Sequence, residues 1–200
     1  MGLVRAENRA SDASAEAVFE TAAQARRREA QALGQTPGAE AELGRRLLAE
    51  PDPSVREALS RALVVRGSLA AAEVLVANLR AEDAGLRNMA LAALAAMPEP
   101  AAEVLEGLLV DPDPGVRMFG VLLAGDLPLA GIEVTLFARL QDETDANVCA
   151  TLIEVLQGMG QALPAQLQAT TAQRFRGDAL VQFLLADMPT LGDGFSAHQP

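Results

Sequence analysis

Side chains that serve as nucleophiles or metal ligands are scarce in this chain of 200 residues. It contains one histidine, His198, close to its C-terminal end, and one cysteine, Cys149. A Ser-His-Asp or Cys-His centre needs a histidine held in a packed site, and a zinc site needs several His or Cys ligands. The sequence therefore predicts no catalytic residue, no cofactor and no metal site. Cys149 lies amid apolar neighbours, which favours an inert, partly buried thiol.

Carboxylates, by contrast, are plentiful. The chain has 27 acidic and 16 basic residues, all of the latter arginine, and a formal net charge of -11. Such a chain repels phosphate backbones, so we expect no nucleic-acid binding. The carboxylates gather at three turns: Glu82 with Asp83, Asp111 with Asp113, and Asp142 with Glu143 and Asp145. Two interpretations stay open, an acidic ridge that attracts a basic partner or divalent ions, and a solvated edge whose Asp residues cap helices.

These turns belong to a repeat. An aspartate recurs at 52, 83, 113, 145 and 178, at intervals of 31, 30, 32 and 33 residues. Three residues after each aspartate stands Val or Leu, and four residues after the first three stands arginine: Arg56, Arg87 and Arg117. Cys149 and Gln182 take the arginine position in the last two repeats. A fixed period of this length is typical of a solenoid of two-helix units.

Each unit is predicted to hold a first helix (A), an aspartate turn and a second helix (B). The predicted A helices are 39–50, 69–80, 101–110, 131–140 and 164–175. The predicted B helices are 53–66, 84–97, 114–127, 146–159 and 179–188. The aspartates stand at N-cap positions, and Pro53 and Pro114 follow at the first helical position. Gly67, Pro98, Pro128 with Gly131, and Gly160 with Pro164 are expected to end the units.

The spacing of residues in the B helices also predicts which side chains contact a partner. Positions 3, 6, 7 and 10 after the aspartate trace one largely apolar helix face, which must pack on the A helices. Positions 5, 8 and 9 lie off this face and form a predicted apolar patch with a polar rim. Its predicted partner-binding residues are Asn88, Leu91, Met118, Val121, Leu122 and Ile153, with Glu57, Arg61 and Glu154 at the rim. The competing interpretation is tighter packing that buries these side chains.

The segment Asp111-Pro-Asp-Pro-Gly-Val-Arg117 and the helix after it resemble a bacterial HEAT repeat, as do Pro51-Asp-Pro-Ser-Val-Arg56 and Glu82-Asp-Ala-Gly-Leu-Arg87. The resemblance extends over 39–160 and is poor over 161–190. It implies an all-α protein, a right-handed α-solenoid of about five two-helix repeats with an N-terminal helix. It also implies that the B helices line the concave side. The short variant of the repeat is similar to that of lyase subunits that attach bilins to phycobiliproteins.

The resemblance further implies a ladder in which the motif aspartates and arginines link adjacent units. Its members here are Asp52, Arg56, Asp83, Arg87, Asp113 and Arg117. Because the fourth and fifth units lack the arginine, we expect the ladder to fail toward the C-terminal end, where the fifth unit resembles a degenerate cap.

The expected organisation is a polar segment and helix over 1–38, a repeat array over 39–190 and a disordered tail over 191–200. No signal-peptide core and no apolar run of membrane-spanning length occur, so we expect a cytoplasmic protein without a membrane partner. The predicted function is a non-catalytic protein–protein interaction module, an adaptor or assembly factor. The alternative is a bilin-lyase-like or chaperone-lyase subunit acting on a tetrapyrrole-carrying protein. A HEAT-like DNA glycosylase is disfavoured because the chain is acidic and lacks Trp and Tyr.

Overall fold

The computed structural model describes residues 22–191. Within them the chain forms eleven helices and two short strands, which confirms the predicted all-α class. The A helices are α2 (Glu40–Ala49), α4 (Leu69–Asn78), α6 (Pro98–Leu109), α8 (Ile132–Asp142) and α10 (Ala165–Arg174). The B helices are α3 (Pro53–Arg66), α5 (Ala84–Ala95), α7 (Pro114–Asp126), α9 (Ala146–Gly158) and α11 (Ala179–Asp187). Helix α1 covers 22–34, and the strands are β1 (Leu163–Pro164) and β2 (Thr190–Leu191).

Every B helix begins after a motif aspartate that serves as its N-cap. The carboxylate accepts a hydrogen bond of 2.7–2.9 Å from a backbone N–H in the first turn of the helix. The five caps are Asp52, Asp83, Asp113, Asp145 and Asp178. Each such cap stabilises its helix by about 1 kcal/mol, because it satisfies a backbone donor that the helix itself leaves unpaired. The repeat of aspartates is thus a repeat of helix starts.

One predicted boundary is wrong. Pro98 was expected to end a unit, but it is the first residue of α6, which starts three residues before the predicted position 101. The first four N–H groups of a helix have no partner within the helix, so Pro98 and Pro100 lose no hydrogen bond there. The part of the predicted N-terminal helix before residue 22, and the predicted tail from 192 onward, lie outside the described residues. Leu191 is described and belongs to β2.

The chain divides into two compact units, and the first ends at Pro100. In unit 1, A helix α2 packs on A helix α4, and B helix α3 packs on B helix α5. This stacking of like helices is that of an α-solenoid. The core consists of fully buried leucines: Leu43, Leu47, Leu59, Leu63, Leu75 and Leu94. Gly44 allows the close approach of α2 to α4, because a Cβ atom there would collide with Val74.

Unit 2 begins at Ala101 and stacks in the same way. Helix α9 packs between α7 and α11 and also contacts α8, so it is buried on three sides. Gly120 brings α7 close to α6, since an added Cβ would lie 2.9 Å from Leu108 Cβ. The strands β1 and β2 pair in parallel, and Leu163 N–H donates to the carbonyl of Pro189 at 2.9 Å. This pairing ties the segment after α11 to the start of α10.

Candidate partner-binding face and its arginine framework

The motif arginines first complete their own repeats. Each donates to the backbone carbonyl of the residue two positions before the cap aspartate, where the A helix has just ended. The bonds are Arg56 Nε to Glu50 O at 2.5 Å, Arg87 Nη1 to Ala81 O at 2.7 Å, and Arg117 Nη1 to Asp111 O at 2.9 Å. These carbonyls lie in the turn after the A helix, one to three residues beyond its last residue, so the arginine ties that turn to its own B helix.

In unit 1, Arg56 also links two repeats. Its Nη1 lies 2.7 Å from Asp83 Oδ2, so the pair joins α3 to the cap of α5. The hydrogen bond from Arg56 is the main cause that holds the pKa of Asp83 below its ordinary value, followed by the bond from Gly85 N–H. The Asp83 side chain is 44% exposed, so the ion pair is largely solvated.

In unit 2, Arg117 binds a different carboxylate. Its Nε and Nη2 donate to the two oxygens of Glu143 at 2.9 and 2.7 Å, and the Glu143 side chain is only 7% exposed. Burial alone would raise the pKa of Glu143. The bonds from Arg117 and from the N–H groups of Asp145 and Thr144 outweigh burial, so the pKa lies below its ordinary value. Glu143 is therefore an ionised partner of Arg117 at neutral pH.

For Arg26, Arg56 and Arg117, the carboxylate that accepts the bond differs with the residue two positions before the cap. Glu50 precedes Asp52 as Glu143 precedes Asp145, and it too accepts two bonds from a guanidinium, that of Arg26, both at 3.0 Å. The corresponding residue of the second repeat is Ala81, and there Arg56 reaches the cap Asp83 itself. The pairing of this position with arginine was not predicted from the sequence, although an acidic residue stands there in three of the five repeats: Glu50, Asp111 and Glu143.

In the last two repeats, which lack the motif arginine, other side chains donate hydrogen bonds to backbone carbonyls. Arg174 of α10 donates to the carbonyl of Glu143 at 2.7 Å, the bond that the motif arginine makes in the earlier repeats. In the fifth repeat, Gln182 Nε2 donates to Ala172 O at 2.9 Å. Cys149 itself is fully buried, and burial raises the pKa of its thiol to about 12. A protonated, inaccessible thiol is a poor nucleophile, so Cys149 has a packing role.

The expected binding patch is wrong at two of its residues. Val121 is 1% exposed and Ile153 is 0% exposed, so both belong to the core of unit 2. Each stands at position 8 after its cap aspartate. That side of α7 and α9 is covered because B helices pack on one another as well as on A helices. The tighter-packing interpretation therefore holds for Val121 and Ile153.

The other four predicted residues lie at the surface. Asn88 is exposed and Leu91 is half-buried in unit 1, while Met118 and Leu122 are half-buried in unit 2. Positions 5 and 9 after the cap remain accessible in nearly every repeat, with Ala150 as the buried exception. We call these positions the B-helix face of each unit. In unit 1 they are Glu57, Arg61, Asn88 and Ala92, and in unit 2 they are Met118, Leu122, Glu154, Phe183 and Asp187.

Each unit has a depression beside its B helices. In unit 1 a cleft of about 280 Å³ between α1 and α3 contains both signs of charge, from Arg27, Glu57 and Arg61. In unit 2 a groove of about 330 Å³ lies between α7, α9 and α11, and its charged lining residues are Asp145 and Glu154. Its apolar lining includes Met118, Val148, Ala150 and Leu180. Leu180 was not predicted as a surface contact, because it stands two residues after Asp178 and the predicted helix faces begin three residues after each aspartate.

The comparison with protein families bears on this architecture. The family model for HEAT repeats matches residues 40–124, from the first residue of α2 to near the end of α7. Residues 40–124 therefore form HEAT repeats. HEAT repeats commonly serve as protein-interaction modules and are generally non-catalytic, in keeping with the resemblance drawn from the aspartate turns. No curated protein shows a significant match to the sequence, so the likeness to bilin-lyase subunits stays a prediction.

Within residues 22–191, no helix has the length and apolar character that a membrane crossing requires. In the same range, no three or more His, Cys, Asp or Glu side chains are grouped so as to hold a metal ion. His198 lies outside the described residues.

Proposed function

We propose that this HEAT-repeat protein is a non-catalytic adaptor or assembly factor that binds a segment of a protein partner on its B-helix face. The proposal takes a cytoplasmic setting, in which the chain's single cysteine stays reduced.

The observation that carries the proposal is the set of apolar side chains left accessible on the B helices. In unit 2, Met118 and Leu122 are half-buried and Phe183 is 68% exposed. Met118 and Phe183 stand at position 5 and Leu122 at position 9 after their cap aspartates, and the exposed Glu154 stands at position 9 of the repeat between them. Accessible apolar groups with a charged rim are the composition of a protein interface. The buried positions between them make the surface rigid, so binding costs little ordering entropy.

Site-specific photo-crosslinking tests the proposal. A photoreactive amino acid is placed at Met118 in the full chain, expressed at its native level in the cells that produce it. We expect a discrete adduct with one partner protein, because the side chain lies at the proposed contact. The matched control carries the same group at Val134, an exposed apolar residue on the A helix α8. Equal adducts from both positions, or adducts from Val134 alone, would contradict a B-helix interface.

A further inference from the structure

The two units differ sharply in charge. Between residues 22 and 100 there are ten arginines and ten acidic residues, so this part of unit 1 has no net charge. Between residues 101 and 191 there are four arginines and twelve acidic residues, a net charge of -8. The excess charge of the described chain thus resides entirely in unit 2. A surface of one sign attracts ligands of the opposite sign and raises their association rates.

Part of this charge is placed where it weakens the fold. A helix carries partial negative charge at its C-terminus, so a carboxylate there is destabilising and an arginine is stabilising. The B helix α3 of unit 1 ends at Arg66, in agreement with this rule. The B helices α7 and α11 of unit 2 end at Asp126 and Asp187 and have no basic residue in the last turn. Asp187 accepts a hydrogen bond from Gln157 Nε2 of α9 at 3.1 Å, whereas Asp126 is exposed. Both carboxylates add to the negative charge of unit 2.

The groove between α7, α9 and α11 combines this charge with apolar surface. Leu180 lines the groove and is 51% exposed. Phe183 follows it three residues later on α11, so the two side chains lie on one helix face. Glu154 is exposed and lines the same groove, and no arginine is among its lining residues. The volume of about 330 Å³ is roughly ten times the share of one liquid water molecule, so it admits a large side chain.

We propose that this groove binds a cationic amphipathic peptide segment of a partner protein. A large apolar side chain of the segment occupies the space between Met118 and Leu180, and lysine or arginine residues beside it meet Asp145 and Glu154, the carboxylates that line the groove. This inference rests on the proposed function and adds to it the chemical class of the partner. Charge complementarity selects the cationic segment over an acidic or neutral one, because a second carboxylate-bearing surface would be repelled.

The test uses two synthetic, fluorescein-labelled peptides of leucine at helical spacing, one filled with lysine and the other with glutamate. Binding to the full-length chain is followed by fluorescence anisotropy at low and at high salt. We expect the lysine peptide to bind at least about tenfold more tightly than the glutamate peptide, and to weaken as salt rises. Equal binding of the two peptides would overturn the proposal.

Variants then separate the groove from general attraction to an acidic protein. Leu180→Ser should weaken binding of the lysine peptide about tenfold, since an apolar contact of leucine size is lost. Glu154→Gln should weaken it about threefold, the effect of one exposed ion pair. The matched control Val134→Ser removes an exposed apolar side chain on α8 and should leave the affinity unchanged. Melting curves of all three variants verify that each is folded.

The outcomes distinguish this inference from the proposed function. If Leu180→Ser and Val134→Ser bind the lysine peptide equally, the groove is not the site and the inference fails. If Met118 also crosslinks to a partner in that case, the B-helix face remains the interface and only the assignment of partner chemistry is wrong. If Met118 gives no adduct beyond that of Val134, the proposed function itself fails.

Discussion

The motif arginines of the two units form ion pairs that differ in exposure. Arg56 of unit 1 donates one hydrogen bond to the solvated cap Asp83, whereas Arg117 of unit 2 donates two hydrogen bonds to the buried Glu143. Ion pairs at the surface contribute at most about 1 kcal/mol, but the loss of one partner of a buried pair costs about 3–5 kcal/mol. Arg117 gains a two-pronged bond because the buried Glu143 stands two positions before the next cap, whereas Ala81 stands at that position after Arg56 and the arginine reaches the exposed cap Asp83 instead.

The largest expected effect is that of Arg117→Ala. It leaves Glu143 buried without its guanidinium partner and removes the bond to the carbonyl of Asp111. We expect the free energy of unfolding to fall by about 3 kcal/mol in urea titrations at neutral pH. Arg117→Lys is the control, because it retains the charge but cannot make the two-pronged bond, and it should cost less. A loss below about 1 kcal/mol for Arg117→Ala would show that the link is not buried in solution.

The next largest effect is the pH dependence of the stabilisation by Glu143. The folded-state pKa of Glu143 lies below its ordinary value of about 4.3, so its contribution to stability is present above that pH. The contribution is lost as pH falls through the folded pKa. The stability difference between the parent chain and Glu143→Gln should therefore be large at pH 7 and shrink below about pH 4. Denaturant titrations at both pH values measure it. A difference that stays constant or grows on acidification would contradict the assignment.

A smaller loss is expected for Arg56→Ala in unit 1. The change removes the solvated pair with Asp83 and one carbonyl bond to Glu50, so the cost should be about 1 kcal/mol. Because the pair is exposed, part of this loss should disappear in 1 M salt, whereas the loss for Arg117→Ala should change little. Paired titrations with and without salt measure both. Equal salt responses would remove the distinction between the two links.

The smallest expected effect is a gain in stability from Ala81→Glu, which gives the second repeat the glutamate that Arg117 binds in unit 2. Ala81→Glu places a carboxylate two residues before the cap Asp83, where Glu50 and Glu143 stand in their repeats. It should accept bonds from Arg56 and from the N–H of Asp83 and raise the free energy of unfolding by about 0.5 kcal/mol. Ala81→Gln has a similar shape without the charge and should gain less. A loss of stability with Glu would show that the position does not face Arg56.

Much of the fold was predictable because its signals are local. A cap aspartate bonds to N–H groups within three residues of it, and a proline at the first helical position needs no distant contact. The five B helices accordingly start where the aspartate repeat places them. The position of Pro98 was predicted wrongly because a proline can stand just after the end of one helix or at the first position of the next. The all-α class and the family follow from the same short-range signals repeated at a fixed interval.

The candidate site was less predictable because exposure depends on neighbours distant in sequence. A helical period shows which side of α7 or α9 meets its A helix, but not how far the adjacent B helices cover the rest. Val121 and Ile153 are buried for this reason, while Leu122, one residue from Val121, stays half-buried. At position 5, Asn88 is exposed and Met118 half-buried, whereas Ala150 at the same position of its repeat is buried.

The repeat, the helix starts, the acidic charge and its concentration in residues 101–191 can be read from the sequence, since these are properties of residue types and short-range bonds. The pairing of Arg117 with Glu143, the bond of Arg174 that replaces the arginine missing at Cys149, and the place of Leu180 in a groove depend on the folded chain. These features bring together residues 26 to 62 positions apart, such as Arg117 with Glu143 and, across the groove, Met118 with Leu180. They exist because packed helices bring distant segments together, and no local rule specifies which side chains then meet.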